Sequence, residues 1–218
     1  MAGSSTERLF TIAAVGATIL AAFAVLWRLT LPSLPGPDVE LLEPNTVEAF
    51  WSGQHDLDRP DDAVRIMHFY SFGCRISEMS TAYLSELSEH SHIPVEIVHR
   101  HGPPITHDAW PSSITVGCAR VQVPAQSVIE DLFELRSTIG RIGGTDPVSA
   151  LNVPDRDALV RCMHEGVGDS VALADSLAWH ELGLRAIPTI LIGDRLIHGF
   201  PGESVVDSIL LDVWHDSP

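Results

Sequence analysis

The chain has 218 residues, 45% of them apolar, and a formal net charge of −16 at neutral pH. A chain of this length and composition can bury one sizeable core, so we expect one folded domain with an appendage. Its acidic residues are scattered along the sequence, and nucleic acid is an unsuitable partner because its binding needs clustered Lys and Arg.

The first predicted element is an apolar run near the N-terminus. Residues 9–27 carry no charge and are bracketed by Arg8 and Arg28. A helix of this length spans roughly 28 Å, which is close to the hydrocarbon thickness of a bilayer. We expect an uncleaved membrane anchor. The alternatives are a cleaved signal peptide, with a small-x-small site at residues 22–24 inside the run, and a buried soluble helix.

The anchor divides the chain into a tail, a linker and a long domain. One Arg on each side gives almost no positive-inside bias, but a short tail is expected to stay in the cytoplasm, and an acidic, lysine-free domain crosses easily. Prolines in residues 29–45 favour an extended, semi-rigid spacer. We therefore predict a tail and anchor at 1–28, a linker at 29–45 and a periplasmic or extracellular domain at 46–218.

The first strand of the domain is predicted at residues 63–69, where "AVRIMHF" is rich in Val, Ile and Phe. A second strand is predicted at residues 94–101. Between them, the spacing of apolar residues is typical of an amphipathic helix that begins just after Cys74. The apolar residues with this spacing are Ile76, Met79, Tyr83, Leu84 and Leu87.

The second half of the domain is predicted to be a helical block followed by a hairpin and a helix. Residues 107–183 carry helical patterns, broken by "GRIGGTD" at 140–146, which lacks the Lys-Ser/Thr of a phosphate loop and is interpreted as a turn. Two short strands are expected around the Gly193-Asp194 turn. A last helix is expected from about Glu203 to Trp214.

The stretch "FYSFGCRIS", residues 69–77, contains half of a redox motif, because Ser77 stands where a second cysteine would complete C-x-x-C. Cys74 at a helix N-terminus would face free backbone N–H groups and the positive end of the helix dipole, which favour the reactive thiolate. Arg75 adds a nearby positive charge. Ser77 can donate a hydrogen bond to the sulfur but cannot attack a mixed disulfide. Cys74 could therefore start thiol exchange but has no partner in the motif to finish it.

Three separate stretches of the sequence resemble the DsbA-like family. "VRIMHFYSFGCRIS" resembles the strand and active-site turn of that family, and "LGLRAIPTILIGDRLIHGF" resembles a later segment that contains a cis proline. "GCARVQ" and "LVRCMHEG" resemble two helices of the family's insertion, each with a cysteine. The resemblance covers about residues 60–212. The order and spacing of the stretches agree with those of the family, as do the residues within them.

The resemblance implies an α/β thioredoxin-like fold with a helical insertion and the activity of a thiol–disulfide oxidoreductase. It implies Cys74 as the nucleophile and Pro188 as the cis proline that faces it. A substrate strand could then pair with the backbone of Ile187 beside the sulfur. Ser77 completes the candidate catalytic set, and Arg75 joins Ile187 in substrate binding. Protein thiols or disulfides are the expected partners, glutathione-like thiols are candidates, and no cofactor is expected.

The missing second cysteine leaves three explanations open. Cys74 could be a monothiol catalyst that is released by a second, external thiol. The domain could instead have lost catalysis and use the groove beside Pro188 to bind extended polypeptide. Cys74 could also be a small buried residue with a structural role, as free cysteines often are. Of these three, we expect that Cys74 is a monothiol catalyst.

Two other cysteines remain, and in an oxidising compartment such residues usually pair. The family resemblance places Cys118 and Cys162 on neighbouring insertion helices, so a structural disulfide is expected between them. It would contribute on the order of 3 to 4 kcal/mol to stability. Two free thiols, or a redox-active pair that relays to Cys74, are the alternatives.

Histidines are concentrated between residues 90 and 107. His99 and His101 would point to the same face of a strand, which is a spacing that zinc or copper ligands can have. Histidines at a strand end and in a Pro-rich loop are more often merely solvated. We therefore predict no metal site.

Overall fold

The structure is a computed structural model that describes residues 38–51, 63–106, 109–142, 148 and 151–216. The predicted anchor at 9–27 lies outside these residues. Within them, no helix has both the length and the apolar character needed to cross a membrane.

The strands of the described residues form one sheet with the order β1-β5-β4-β2-β3. Only β2 and β3 are parallel, and each of the other neighbouring pairs is antiparallel. The two predicted strands before the helical block and the predicted hairpin are all present, shifted by no more than one residue. The strands are β1 (Asp38–Leu41), β2 (Val64–Tyr70), β3 (Val95–His101), β4 (Thr189–Ile192) and β5 (Arg195–His198).

Helices cover both faces of the sheet, and a helical block lies between β3 and β4 in the chain, as the sequence predicts; its described residues form four helices. Helix α4 continues to residue 142, past the start of the turn predicted at 140–146, and the rest of that turn lies outside the described residues. The helices are α1 (Pro44–Trp51), α2 (Arg75–His90), α3 (Ala109–Ala119), α4 (Ala125–Ile142), α5 (Arg156–His164), α6 (Val167–Glu181) and α7 (Glu203–Asp216).

The end of the predicted linker is part of the folded domain. Strand β1 pairs antiparallel with β5, with Val39 opposite Ile197, and α1 follows it directly. Phe50 of α1 is buried against Phe69 of β2, with the two ring centroids 6.4 Å apart. The fold therefore begins at Asp38, inside the range 29–45 that the sequence assigns to a spacer.

Alternate residues of the central strand β2 belong to different parts of the core. Ile66 packs with residues of α2 and α7, whereas Met67 and Phe69 pack with residues of α1 and of the segment that follows α6. Tyr70 lies in the core of the helical block. Because β2 is central in the sheet and buried on both sides, its sequence is nearly continuously apolar.

The face that α2 buries differs from the predicted one at its first turns. Tyr83 and Leu84 are buried as the helical spacing predicts, but Ile76 is 43% exposed and Met79 is 51% exposed. Small polar residues take their place on the buried face of α2, namely Ser77, Ser80 and Thr81. Ser80 contacts His68 of β2 and Ser77 accepts from the backbone of Ser71 just after β2, whereas the long apolar side chains are left on the surface.

A disulfide joins two helices of the inserted block. Cys118 of α3 is bonded to Cys162 of α5, with a sequence separation of 44 and 5.7 Å between their Cα atoms. The two helices α3 and α6 also approach closely, since a Cβ at Gly168 would lie 2.9 Å from Cys118 Sγ and 2.4 Å from the carbonyl oxygen of Ile114. The block is therefore covalently and sterically fixed.

Candidate active site around Cys74

Cys74 is the N-cap residue of α2, at the end of a short turn that follows β2. Its backbone N–H donates to the Ser71 carbonyl at 3.0 Å, and the N–H of Glu78 donates to the Cys74 carbonyl at 3.1 Å. The thiol is free and partly exposed. The turn therefore places one accessible sulfur at the N-terminus of a 16-residue helix.

The peptide bond between Ile187 and Pro188 is cis, as predicted, and it lies against the turn of Cys74. The Cys74 thiol donates to the Ile187 carbonyl oxygen, with Sγ and the oxygen 3.6 Å apart. Pro188 is buried and its carbonyl accepts from the Gly199 N–H at 2.8 Å, which ties the loop to the end of β5. The structure thus brings Cys74, Ile187 and Pro188 together, although 113 residues separate the first two in sequence.

Ser77 lies one turn into α2 and is fully buried. Its hydroxyl oxygen accepts a hydrogen bond from the Ser71 N–H at 3.2 Å, so this oxygen is directed toward the backbone of the turn. Arg75, the first residue of α2, is exposed. Ser77 therefore supports the turn from inside, and Arg75 stands on the surface next to the sulfur.

A third segment, the loop after β3, completes the surroundings of Cys74, and no pattern in the sequence predicted its position there. A Cβ at Gly73 would lie 2.5 Å from the Thr106 side chain and 2.8 Å from Ile105. A Cβ at Gly102 would lie 2.2 Å from the end of the Ile187 side chain. Both glycines are therefore needed for space, and the Cys74 turn, this loop and the cis-proline loop interlock.

An open cleft of about 590 Å³ lies beside Cys74. One wall is the exposed side of α2, and Phe133 of α4 contributes from the helical block. Ile105, 52% exposed, adds apolar surface in the loop that packs against Gly73. The residues that line the cleft are Phe72, Gly73, Cys74, Arg75, Glu78, Met79, Ala82 and Phe133. Exposed apolar side chains, among them Met79 and Ile105, thus lie close to the free thiol.

Solved structures with a similar fold include DsbA proteins. The thiol-disulfide exchange protein alpha-DsbA2 from Wolbachia pipientis is 12% identical with a TM-score of 0.60, covering 78% of this chain and 92% of its own. DsbA2 from Pseudomonas aeruginosa is 24% identical with a TM-score of 0.58, covering 74% and 98%. Reduced DsbA1 from Neisseria meningitidis is 10% identical with a TM-score of 0.56, covering 85% and 97%. The chain has the DsbA-like thioredoxin fold. Neither a protein-family model nor a curated protein matches it.

In this DsbA-like fold, one histidine that the sequence suggested to be solvated is buried, since His101 is 3% exposed, whereas His90 and His92 are exposed as expected. His68 of β2, which was not part of that expectation, is fully buried. His99 is partly buried, and His107 lies outside the described residues. The solvated interpretation is therefore wrong for the histidines of β3, whose side chains lie under the helices that cover the sheet.

Burial changes the acid–base properties of these histidines. It lowers the pKa of His101 to about 4, and it lowers the pKa of His99 to about 4 against the opposing effect of the neighbouring Gln126. Burial and the adjacent His99 also lower the pKa of His68 well below its ordinary value. All three rings are therefore neutral at pH 7. Within the described ranges, no cluster of three or more His, Cys, Asp or Glu is arranged to hold a metal ion.

Proposed function

We propose that the protein is a membrane-anchored, extracytoplasmic thiol–disulfide oxidoreductase or isomerase that acts through the single nucleophilic cysteine Cys74. The observation that carries this proposal is the position of the Cys74 thiol, at the N-terminus of α2 and 3.6 Å from the carbonyl oxygen of Ile187, next to a cis proline. Reactive cysteines are commonly found at helix N-termini.

The proposed reaction is a pair of thiol–disulfide exchanges. The Cys74 thiolate attacks one sulfur of a substrate disulfide, the S–S bond breaks, the other sulfur leaves as a thiolate, and a mixed disulfide with Cys74 results. The chain has three cysteines, and the other two, Cys118 and Cys162, are bonded to each other. A second thiol, from a protein or a glutathione-like molecule, therefore attacks the mixed disulfide and restores the Cys74 thiolate.

The proposed substrate is an extended polypeptide segment that carries a cysteine. Such a segment could pair with the backbone at Ile187 and lay apolar side chains on the exposed surface of Ile76, Met79 and Ile105. The same apolar surface supports the alternative function, a domain that binds extended polypeptide without thiol chemistry. The two functions differ in whether binding needs the sulfur of Cys74.

Trapping of mixed disulfides separates these two functions. When native membranes are quenched with acid and alkylated, we expect several adducts on Cys74 that disappear on reduction, because each turnover passes through a mixed disulfide. Non-reducing gels and mass spectrometry would identify them, with the Cys74→Ala protein as control. A binding domain would retain its partners in the Cys74→Ala protein and give no adducts in either form.

The anchor and the placement of the domain are a separate part of the proposal. They are supported by the uncharged run at 9–27 and by a disulfide, which persists mainly in oxidising compartments. In cells stripped of their outer layers, we expect added protease to degrade the domain. A cytoplasmic protein serves as the control for intact cells, and protection of the domain to the same extent would overturn the placement.

A further inference from the structure

His68 of β2 is fully buried, yet both of its ring nitrogens have polar neighbours. Its Nε2 lies 2.9 Å from the hydroxyl oxygen of Ser80 on α2. Its Nδ1 lies 3.1 Å from Nδ1 of His99, the residue that is opposite it in the parallel pair of β2 and β3. His68 therefore connects the middle of the sheet with the helix that begins at Cys74.

The Ser80 hydroxyl gives this connection a direction. Its oxygen is 3.0 Å from the carbonyl oxygen of Ser77, and a carbonyl has no proton, so the hydroxyl is the donor in that contact. A serine hydroxyl has a single proton. The Ser80 oxygen must therefore accept from His68, which places the proton of the neutral His68 ring on Nε2.

The same count of donors and acceptors assigns the proton of the neutral His99 ring. With its proton on Nε2, neutral His68 has an acceptor at Nδ1, so the Nδ1 of His99 must be protonated and donate to it. This leaves Nε2 of His99 as a buried acceptor beside the side chain of Gln126, which would accept from this ring if the direction were reversed. The hydrogen bonds thus run in one direction, from His99 to His68, to Ser80 and to the Ser77 carbonyl.

Ser77 is where this chain reaches the active site. It is in the first turn of α2, and its hydroxyl oxygen also accepts from the backbone of Ser71, in the turn that carries Cys74. We propose that His68 is a positioning residue for Cys74, which acts through Ser80 to fix the first turn of α2 and hence the backbone N–H groups that face the sulfur. The inference rests on the proposed function for its biological meaning, but not for its test.

The surroundings of His68 are apolar or neutral apart from this chain. Its partner across β4 is Ile190, and the ring of Tyr70 stacks on it with the centroids 5.8 Å apart. Charged and titratable groups lie farther out, around the neighbours of His68: Asp175 and Arg120 act on Tyr70, Gln126 lies beside His99, and Glu130 accepts from Gln126. A change at His68 therefore reaches Cys74 mainly through Ser80.

Nitrogen NMR of the histidine rings tests the direction of the chain. In the ¹⁵N-labelled full chain at pH 7, we expect protonated Nε2 and bare Nδ1 for His68, and protonated Nδ1 and bare Nε2 for His99. The reverse pattern, in which His99 donates toward Gln126 and Ser80 donates to His68, would overturn the proposal. Averaged signals for both rings would overturn it as well.

The rate of Cys74 alkylation by iodoacetamide tests the positioning role and needs no enzymatic turnover. In Ser80→Ala and in His68→Leu, we expect alkylation at pH 7 to slow by about two- to fivefold, because a loosened helix start no longer holds the backbone N–H groups in place beside the sulfur. His68→Gln keeps a donor toward Ser80 and should restore most of the rate. The double variant Ser80→Ala/His68→Leu should be no slower than either single variant.

Ser88→Ala is the matched control. Ser88 lies on the same helix and donates to the Ser85 carbonyl at 2.8 Å, but it is exposed. Equal slowing in Ser88→Ala, or no change in Ser80→Ala when circular dichroism shows it folded, would overturn the positioning role. If the expected changes occur in a protein without exchange activity, the proposed function fails while this inference stands.

Discussion

Replacing Ser77 by Cys is expected to convert the protein from a monothiol into a dithiol reagent. Ser77 is one turn from Cys74, at the spacing that lets two sulfurs of a C-x-x-C motif bond to each other. The new thiol would resolve the mixed disulfide from within the chain. Short connections give effective concentrations of the order of mM, so resolution should speed up roughly tenfold or more when external thiol is held near 0.1 mM.

Insulin reduction measures this gain, and glutathione-dependent exchange measures the natural activity. The natural protein should show only the second activity, and Cys74→Ala should abolish it. Ser77→Ala is the matched control for loss of the hydroxyl, since it removes the acceptor of the Ser71 N–H without adding a thiol. A Ser77→Cys protein that forms no internal disulfide would contradict the expected geometry. If Cys74 of the natural protein resists alkylation while the protein is folded, the proposed enzymatic function is refuted.

Acid is expected to unfold the domain because its core holds neutral histidines. Burial lowers the pKa of His99 and of His101 to about 4, from an ordinary value near 6.5. Their contribution to stability is complete above pH 6.5 and is lost as the pH falls toward 4, since the unfolded chain binds protons that the fold does not. Each should cost about 3 kcal/mol by pH 4, and His68, whose pKa is also lowered, adds to this.

Urea unfolding at pH 7, 6, 5 and 4.5 would measure this loss of stability. His101→Phe removes one titrating group while keeping an aromatic ring, and it should make the dependence on pH shallower by roughly 1 kcal/mol per pH unit. His90→Gln, at an exposed position on α2, should leave the slope unchanged. If the free energy of unfolding depends on pH equally in the natural protein and in His101→Phe, then burial of the His101 ring does not set its protonation.

The elements that the sequence predicts well are those whose signal is local. The buried strand β2, the Gly193-Asp194 hairpin and the last helix were each placed within one or two residues, because apolar runs, turn residues and helical spacing mark them. Strand β1 was assigned to the spacer, since its four residues are all exposed and acquire their structure only by pairing with β5. No local pattern could reveal that pairing.

The candidate site was predictable in its motif and less so in its surroundings. The family resemblance indicated Cys74, Pro188 and the cysteine pair, and the structure holds the first two together and contains the disulfide. Helical periodicity alone favours burial of Ile76 and Met79. Polar groups of β2 and its turn select small serines for the buried side of α2 instead, and this interaction between distant residues is not visible in a spacing pattern.

In the proposed mechanism, the hydrogen bond from the Cys74 thiol to the Ile187 carbonyl links two steps of catalysis to one proton. While the thiol is protonated, it occupies the carbonyl oxygen of Ile187. Ionisation removes that donor and leaves the oxygen open to the N–H of an arriving polypeptide. The event that makes the sulfur reactive therefore also uncovers a main-chain acceptor for docking. A polypeptide that arrives before ionisation would find the Ile187 carbonyl already engaged by the thiol and a sulfur that does not react. Docking at Ile187 and reaction at Cys74 would therefore depend on the same event.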